Sequence, residues 1–197
     1  MLDRIANFDP DELAGYLDEL TGLFENIDTA YQQVAGHYGF ECTGCRDNCC
    51  LTLFYHHTVL ETMLLKKGFL TLDRVEQDDI RQRALRVSKS HRRAEVSGRP
   101  IKAMCPLNHA GLCRLYHQRP MICRMHGIPN ELKLPGQAPS PGPGCGEFDK
   151  EHGPDVRVRL DRTPFYSQLA HLEGRLRREY GLQGKIKMTV AQIITTF

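Results

Sequence analysis

Apolar side chains return at helical spacing along several stretches of the chain and lose all periodicity between them. The first stretch carries Leu13, Tyr16, Leu17, Leu20, Leu23, Phe24, Ile27, Tyr31 and Val34 at intervals of mostly three and four. That is the stripe with which an α-helix buries one side. Asp9, Pro10 and Glu12 supply a capping residue, a first-turn proline and an acid three residues after the cap, while Gly36 and Gly39 mark the expected end. A second helix is expected over about residues 55–67, with Leu60, Met63 and Leu64 inward and Gly68 as its stop. On that helix His56 and His57 would be neighbours, so that at most one faces the core. A third helix runs from Asp73 into the mid-nineties and closes at Gly98 and Pro100.

Thr163 and Pro164 open a further helix with Phe165, Leu169, Leu172, Leu176 and Tyr180 on one face and Gly181 behind it. Thr189 and Gln192 form a capping-box pattern ahead of Val190, Ile193 and Ile194. Residues 101–150 obey neither period, and Pro135–Gly144 holds seven Pro or Gly residues in ten. Such a stretch does not order itself by apolar pattern, so something else must fix it. The expected architecture is mainly α, a helical scaffold around an irregular, cysteine-rich metal-binding middle with little or no β-sheet. It reads as a single domain over 1–197: an N-terminal helix in 1–40, a cysteine-cluster core with inserted helices in 41–150, and C-terminal helices in 151–197.

Composition narrows the functional classes. Hydrophobic residues are 41% and charged residues 25%, with a formal net charge of +2, which permits a packed core and gives no strong field toward nucleic acid. The densest basic run, Arg81 to Arg93, follows Asp73, Glu76, Asp78 and Asp79 on one helix, as the helix dipole favours. No apolar run approaches the roughly 18–20 residues needed to cross a bilayer, and the N-terminus lacks the apolar core of a signal peptide. A reducing cytoplasm is therefore expected, where eight cysteines are better read as ligands than as disulfides.

The spacing of those cysteines carries the chemistry. Cys42, Cys45, Cys49 and Cys50 stand in one short run, with Gly44 giving the Cys42–Cys45 turn its freedom to aim both sulfurs at one metal. Cys105, Cys113, Cys123 and Cys145 are spread over 41 residues with no second C-x2-C pair, which departs from a two-knuckle zinc ribbon and leaves iron–sulfur ligation open beside zinc. Pro120 at a helix start would put Cys123 in a first turn, where the dipole lowers a thiol's pKa. Cys145 lies among prolines and glycines that argue against a helix, so it is expected as a ligand delivered by a loop. Arg46, Arg114, Arg119 and Arg124 adjoin these thiols, and Arg119 and Arg124 are expected behind the ligands, donating to sulfur or sulfide. His109, His117 and His126 are candidate nitrogen ligands.

Phe40–Cys50 resembles the opening signature of the YkgJ-like, or CxxCxxCC, cysteine-cluster family. Cys105-Pro-Leu, followed by Cys113 and by Tyr116-x-x-Arg119-Pro120-x-x-Cys123-Arg124, resembles its second signature. Three residues separate Cys45 from Cys49 here, one more than the family's shorthand. The family is described as zinc- or iron-chelating, so the resemblance implies metal chelation by the matching cysteines and no settled reaction. A remote similarity to the cysteine motif of flagellin lysine methylases suggests an iron–sulfur option, such as a 4Fe–4S cluster, without any methyltransferase signature. No phosphate loop, nucleophile elbow or dinucleotide fingerprint is present. The expected function is an iron–sulfur or zinc protein for redox or metal handling. The alternatives are a structural-zinc module that binds a protein partner and an enzyme that uses the metal centre. Metal ions, with or without a protein partner, are the expected partners; nucleic acid and membrane are not.

Overall fold

The computed structural model describes residues 5, 7–42, 49–98, 102–153 and 156–197. Cys45, Arg46 and the Gly44 turn lie outside them. The fold is mainly α, with 57% of the described residues helical and 8% in strands.

A 3-10 turn, Pro10–Leu13, leads into α1, Ala14–Tyr38. Asp9 starts the turn by accepting from the Asp11 amide at 3.0 Å. Leu17, Leu20, Leu23, Phe24, Ile27, Tyr31 and Val34 are buried along α1, the face that the periodicity predicts. The helix runs straight through Gly36 and stops at Gly39, whose φ of 64° supplies the left-handed cap.

Helix α2 is Val59–Leu70, shifted by three to four residues from the expected span. Thr58 sets the start, since its Oγ accepts from the Glu61 amide. Gly68 is no stop. It lies inside the helix where an added Cβ would come within 2.8 Å of Gln118, so its missing side chain admits the middle of the chain against α2. Ten of the twelve α2 residues are buried, Glu61 and Lys66 among them. Helix α3 is Arg74–Ser97, capped by Asp73 and ended at Gly98, φ 64°.

Segment 102–153 carries short elements. Strands β1, Asn108–His109, and β2, Leu112–Cys113, form a hairpin. A 3-10 turn at Tyr116–Gln118 precedes α4, Met121–Arg124. Strands β3, Asn130–Leu132, and β4, Ser140–Gly142, pair antiparallel, followed by α5, Gly146–His152. Strand β5, Leu160–Asp161, adds to β3 in parallel. Helix α6 is Thr163–Glu179. Helix α7, Val190–Ile194, begins with the expected capping box between Thr189 and Gln192.

Helix α1 packs on α2, α4 and α6, and α3 packs along α7. The middle also buries apolar weight that no period announces: Leu107, Leu115, Met121, Met125, Ile128 and Phe148 all belong to the same core as the helices. Among the described residues no helix is long and apolar enough to cross a membrane.

Candidate metal centre

Four chain segments bring the thiols together. Cys42 follows α1; Cys49 and Cys50 lie in a turn further on; Cys105 precedes the β1–β2 hairpin and Cys113 ends its second strand; Cys123 sits in α4. All six line one cavity of about 100 Å³. A second cavity of about 520 Å³ is lined by Cys42, Cys49, Cys123 and Cys145. Cys42, Cys49 and Cys123 thus form a partition between two chambers. The first is walled largely by apolar side chains; the second by polar ones, including Glu41, Glu147, Glu151 and Arg119.

Backbone contacts hold this convergence. The Cys105 amide donates to the Cys50 carbonyl at 2.8 Å, tying the two motifs directly, and the Asn108 amide donates to the Cys105 carbonyl at 3.0 Å. The Arg114 amide donates to the Leu107 carbonyl at 2.9 Å and closes the hairpin. Four-residue α4 has no side-chain cap of its own. Glu61 of α2 replaces one, accepting from the Met121 amide at 2.9 Å and from the Thr58 hydroxyl at 2.6 Å. Burial raises the Glu61 pKa, opposed by those two hydrogen bonds. Glu173 of α6 accepts from the Val59 and Leu60 amides at 2.9 and 3.2 Å and from Arg177 at 2.6 Å. Two buried carboxylates therefore fix α2 and the turn that carries Cys123. Neither belongs to a cysteine motif; each would read from sequence as an ordinary surface charge on a helix.

The ionisation pattern follows from the crowding. Hydrogen bonds from Cys105, then Cys49, then Asn108 lower the Cys50 pKa, with His126 adding to the effect. Cys49 and Cys105 are both raised, first by their hydrogen bonds to Cys50 and then by burial. Burial pushes Cys113 up to about 11. Cys123 rises for the same reason and through the nearby Cys113 and Cys50 charges. The dipole of a four-residue helix does not offset that, which reverses the expectation of a lowered Cys123. Each further ionisation around Cys50 meets low dielectric and like charge. A bound cation would reverse both penalties, so the donor set fits a thiolate-bound metal. Among the described residues, no three His, Cys, Asp or Glu side chains already stand in a metal-binding arrangement.

The remaining candidates separate. Arg124 is buried, and its guanidinium is directed to Asp28 of α1 at 2.5 Å, to the Arg119 carbonyl at 3.1 Å and to the His117 carbonyl. It also lies 4.4 Å over the Phe24 ring. These contacts clamp the turn before α4 onto α1. Arg119 stacks 3.8 Å over Tyr116, pairs with Asp28 at 3.4 Å and lines both cavities. Its charge favours ionisation of Cys113 and Cys123. Arg114 instead pairs with Glu76 of α3.

His109 and His117 are exposed and line neither cavity. His126 lines the polar chamber and packs edge-on to Phe54, centroids 5.6 Å apart. Cys145 corrects a local expectation: it caps helix α5 rather than sitting in a helix-free loop. Its amide donates to the Gly127 carbonyl at 2.9 Å, and the residue is buried. Gly127 holds φ 116°, and an added Cβ would come within 2.9 Å of the Tyr31 hydroxyl, so only glycine lets that strand of backbone pass.

Sequence reasoning put His56 on a helix and did not count it among the candidate ligands. It precedes α2 in extended backbone, exchanging two hydrogen bonds with Met188 at 2.7 and 3.0 Å. The residue is 2% exposed and lines the apolar chamber, and among the described residues its buried Nε2 has no hydrogen-bond partner. Burial holds its pKa down to about 4, helped by His57. No family model, no curated protein and no solved structure matches this chain.

Proposed function

We propose that the chain is a metal-binding protein that holds an iron–sulfur cluster or zinc on cysteine thiolates, for redox or metal handling. The observation that carries this is the convergence of Cys42, Cys49, Cys50, Cys105, Cys113 and Cys123 on one cavity. Packing does not ask for it: thiols are used elsewhere as small hydrophobes, singly, whereas here six gather from four segments. The order of the two motifs is that of the YkgJ-like family, whose resemblance adds Cys45 to the set. Cys145, on the polar side of the same partition, is the eighth candidate.

In this reading the thiols ionise as the metal binds, Cys50 most readily, and release protons, so loading grows tighter as pH rises. Arg119 offsets part of the negative charge. Zinc would supply a fixed tetrahedral anchor, and an iron–sulfur cluster an electron-transfer centre. A chain of this composition is expected in a reducing cytoplasm, where the thiols stay available.

Anaerobic purification followed by metal and acid-labile sulfide analysis tests the proposal. Iron and sulfide in equal amounts with brown absorbance assign a cluster, and stoichiometric zinc without colour assigns zinc. A metal-free protein that takes up neither iron with sulfide nor zinc overturns the proposal.

A further inference from the structure

The basic run on α3 divides in two. Its first part is neutralised within the helix: Arg81 pairs with Asp78 at 3.1 Å and Arg83 with Asp79 at 2.9 Å. The other acids of α3 are engaged elsewhere, Glu76 with Arg114 and Glu95 with the Tyr55 hydroxyl at 2.9 Å. Arg86, Lys89, Arg92 and Arg93 are exposed, and among the described residues none of them has a carboxylate partner. The helix dipole does not account for these charges. Its influence is confined to the last turn, and the last turn of α3 holds no basic residue.

Spacing gathers the charges on one face. Leu85, Lys89, Arg92 and Val96 follow one another at helical intervals, with Arg86 and Arg93 beside them. Leu85 is 53% exposed and Val96 87%. Two bare aliphatic side chains thus stand among unneutralised cations over about 16 Å of helix. The opposite side of α3 is occupied: Ile80 and Ala84 are buried, and Val87 and His91 line the thiol cavity.

We infer that this outer face of α3 docks a protein whose contact surface is acidic, with carboxylates set around a small apolar centre. Cations crowded along one helix face repel one another, and opposing carboxylates relieve that repulsion. Leu85 and Val96 select the class of partner. Phosphates of a nucleic acid would match the cations but give the aliphatic side chains nothing to bury against. A helix that lies on a bilayer turns its broad apolar face to the lipid, whereas that face of α3 is turned into the protein. The patch is smaller than the roughly 20–30 residues a side of a standard interface, so the contact is transient, steered by charge and weakened by salt. A protein docked there lies about one helix diameter, 10–12 Å, from the thiol cavity. The face stands whatever the thiols hold.

The probe is a synthetic acidic helix of about 20 residues, glutamates flanking a leucine stripe, followed by fluorescence anisotropy against the full-length protein. Saturable binding at low ionic strength is expected, falling as salt rises. Lys89→Glu/Arg93→Glu should weaken it roughly tenfold or more. Arg178→Glu/Lys185→Glu, which changes the net charge equally at two exposed positions elsewhere, should leave it within about twofold. Leu85→Ser/Val96→Ser should weaken it several-fold, an effect that plain charge attraction would not produce. Helical circular dichroism checks that each variant is folded. Absence of saturable binding, equal loss in the two charge-reversed variants, or no effect of the serine pair overturns the proposal. Tighter binding of duplex DNA or of phosphatidylserine vesicles than of the peptide overturns it as well. So does self-association in light scattering that Lys89→Glu/Arg93→Glu abolishes, which would give the face to a second copy of the chain.

Discussion

The helical frame and the cysteine-bearing middle are held together by different means. Along α1, side chains from Leu17 to Val34 lock in by repeating apolar contact, and no one residue of that face decides the geometry. Between residues 102 and 153 the regular elements are two to seven residues long. Their positions depend on particular partners: Glu61 under Met121, Asp28 against Arg124, Gly68 under Gln118. The frame is redundant and tolerant. The middle is a set of single points, which allows it to place sulfur atoms but leaves it open to loss of any one of them.

Metal removal should expose that difference most strongly. Structural zinc contributes on the order of 10 kcal/mol to small folds. Chelation under reducing conditions should therefore make residues 101–150 protease-sensitive while most helical circular dichroism survives. Cleavage sites mapped by mass spectrometry check this, and equal protection before and after verified metal loss would erase the contrast. A change in the frame should do the reverse. Leu20→Ala, at a fully buried position of α1, is expected to cost about 2–5 kcal/mol in denaturant unfolding with metal content per folded molecule unchanged.

Acid acts at the border between the two regions. The folded pKa of His56 lies near 4, below the roughly 6.5 of an unfolded histidine. The unfolded chain therefore binds the extra proton between those values, and stability falls as pH drops from about 6.5 to 4. The loss from this residue approaches about 3 kcal/mol, at about 1.4 kcal/mol per pH unit. His56→Leu should flatten that part of the stability–pH curve, and an unchanged slope would place the acid sensitivity elsewhere. The smallest stability effect is expected at Cys145. Cysteine makes no side-chain cap bond here and serine is able to, which offsets part of the cost of burying a hydroxyl, so Cys145→Ser should cost about 1 kcal/mol while lowering metal occupancy. Wild-type metal content in that variant would remove Cys145 from the ligand set.

The frame was legible because period is a property of many residues at once. Leu17 through Val34, the Asp73 cap and the Thr189–Gln192 box all stand where the pattern puts them. Misreadings came where one distant contact overrides a local rule. Gly68 looks like a stop but is a packing notch for Gln118, fifty residues away. Arg114 looks like a partner for sulfur but faces Glu76. His56 looked helical because its backbone partner, Met188, gives no local sign of itself. For the site, spacing singled out the cysteines, and the fold brings six of them to one cavity. It did not identify Glu61, whose role depends on a helix brought to it by the fold.

The wall that Thr189, Val190 and Ala191 give to the thiol chamber also sets a schedule. A chain is made from its N-terminus at roughly 5–20 residues per second, so Cys123 emerges about 3–14 s before Ala191 does. Through that interval the six thiols exist without a closed chamber around them. Metal or sulfide that arrives early meets an open set of nucleophiles, and so does any oxidant. For the metal centre proposed above, loading would thus be a problem of timing as well as of affinity.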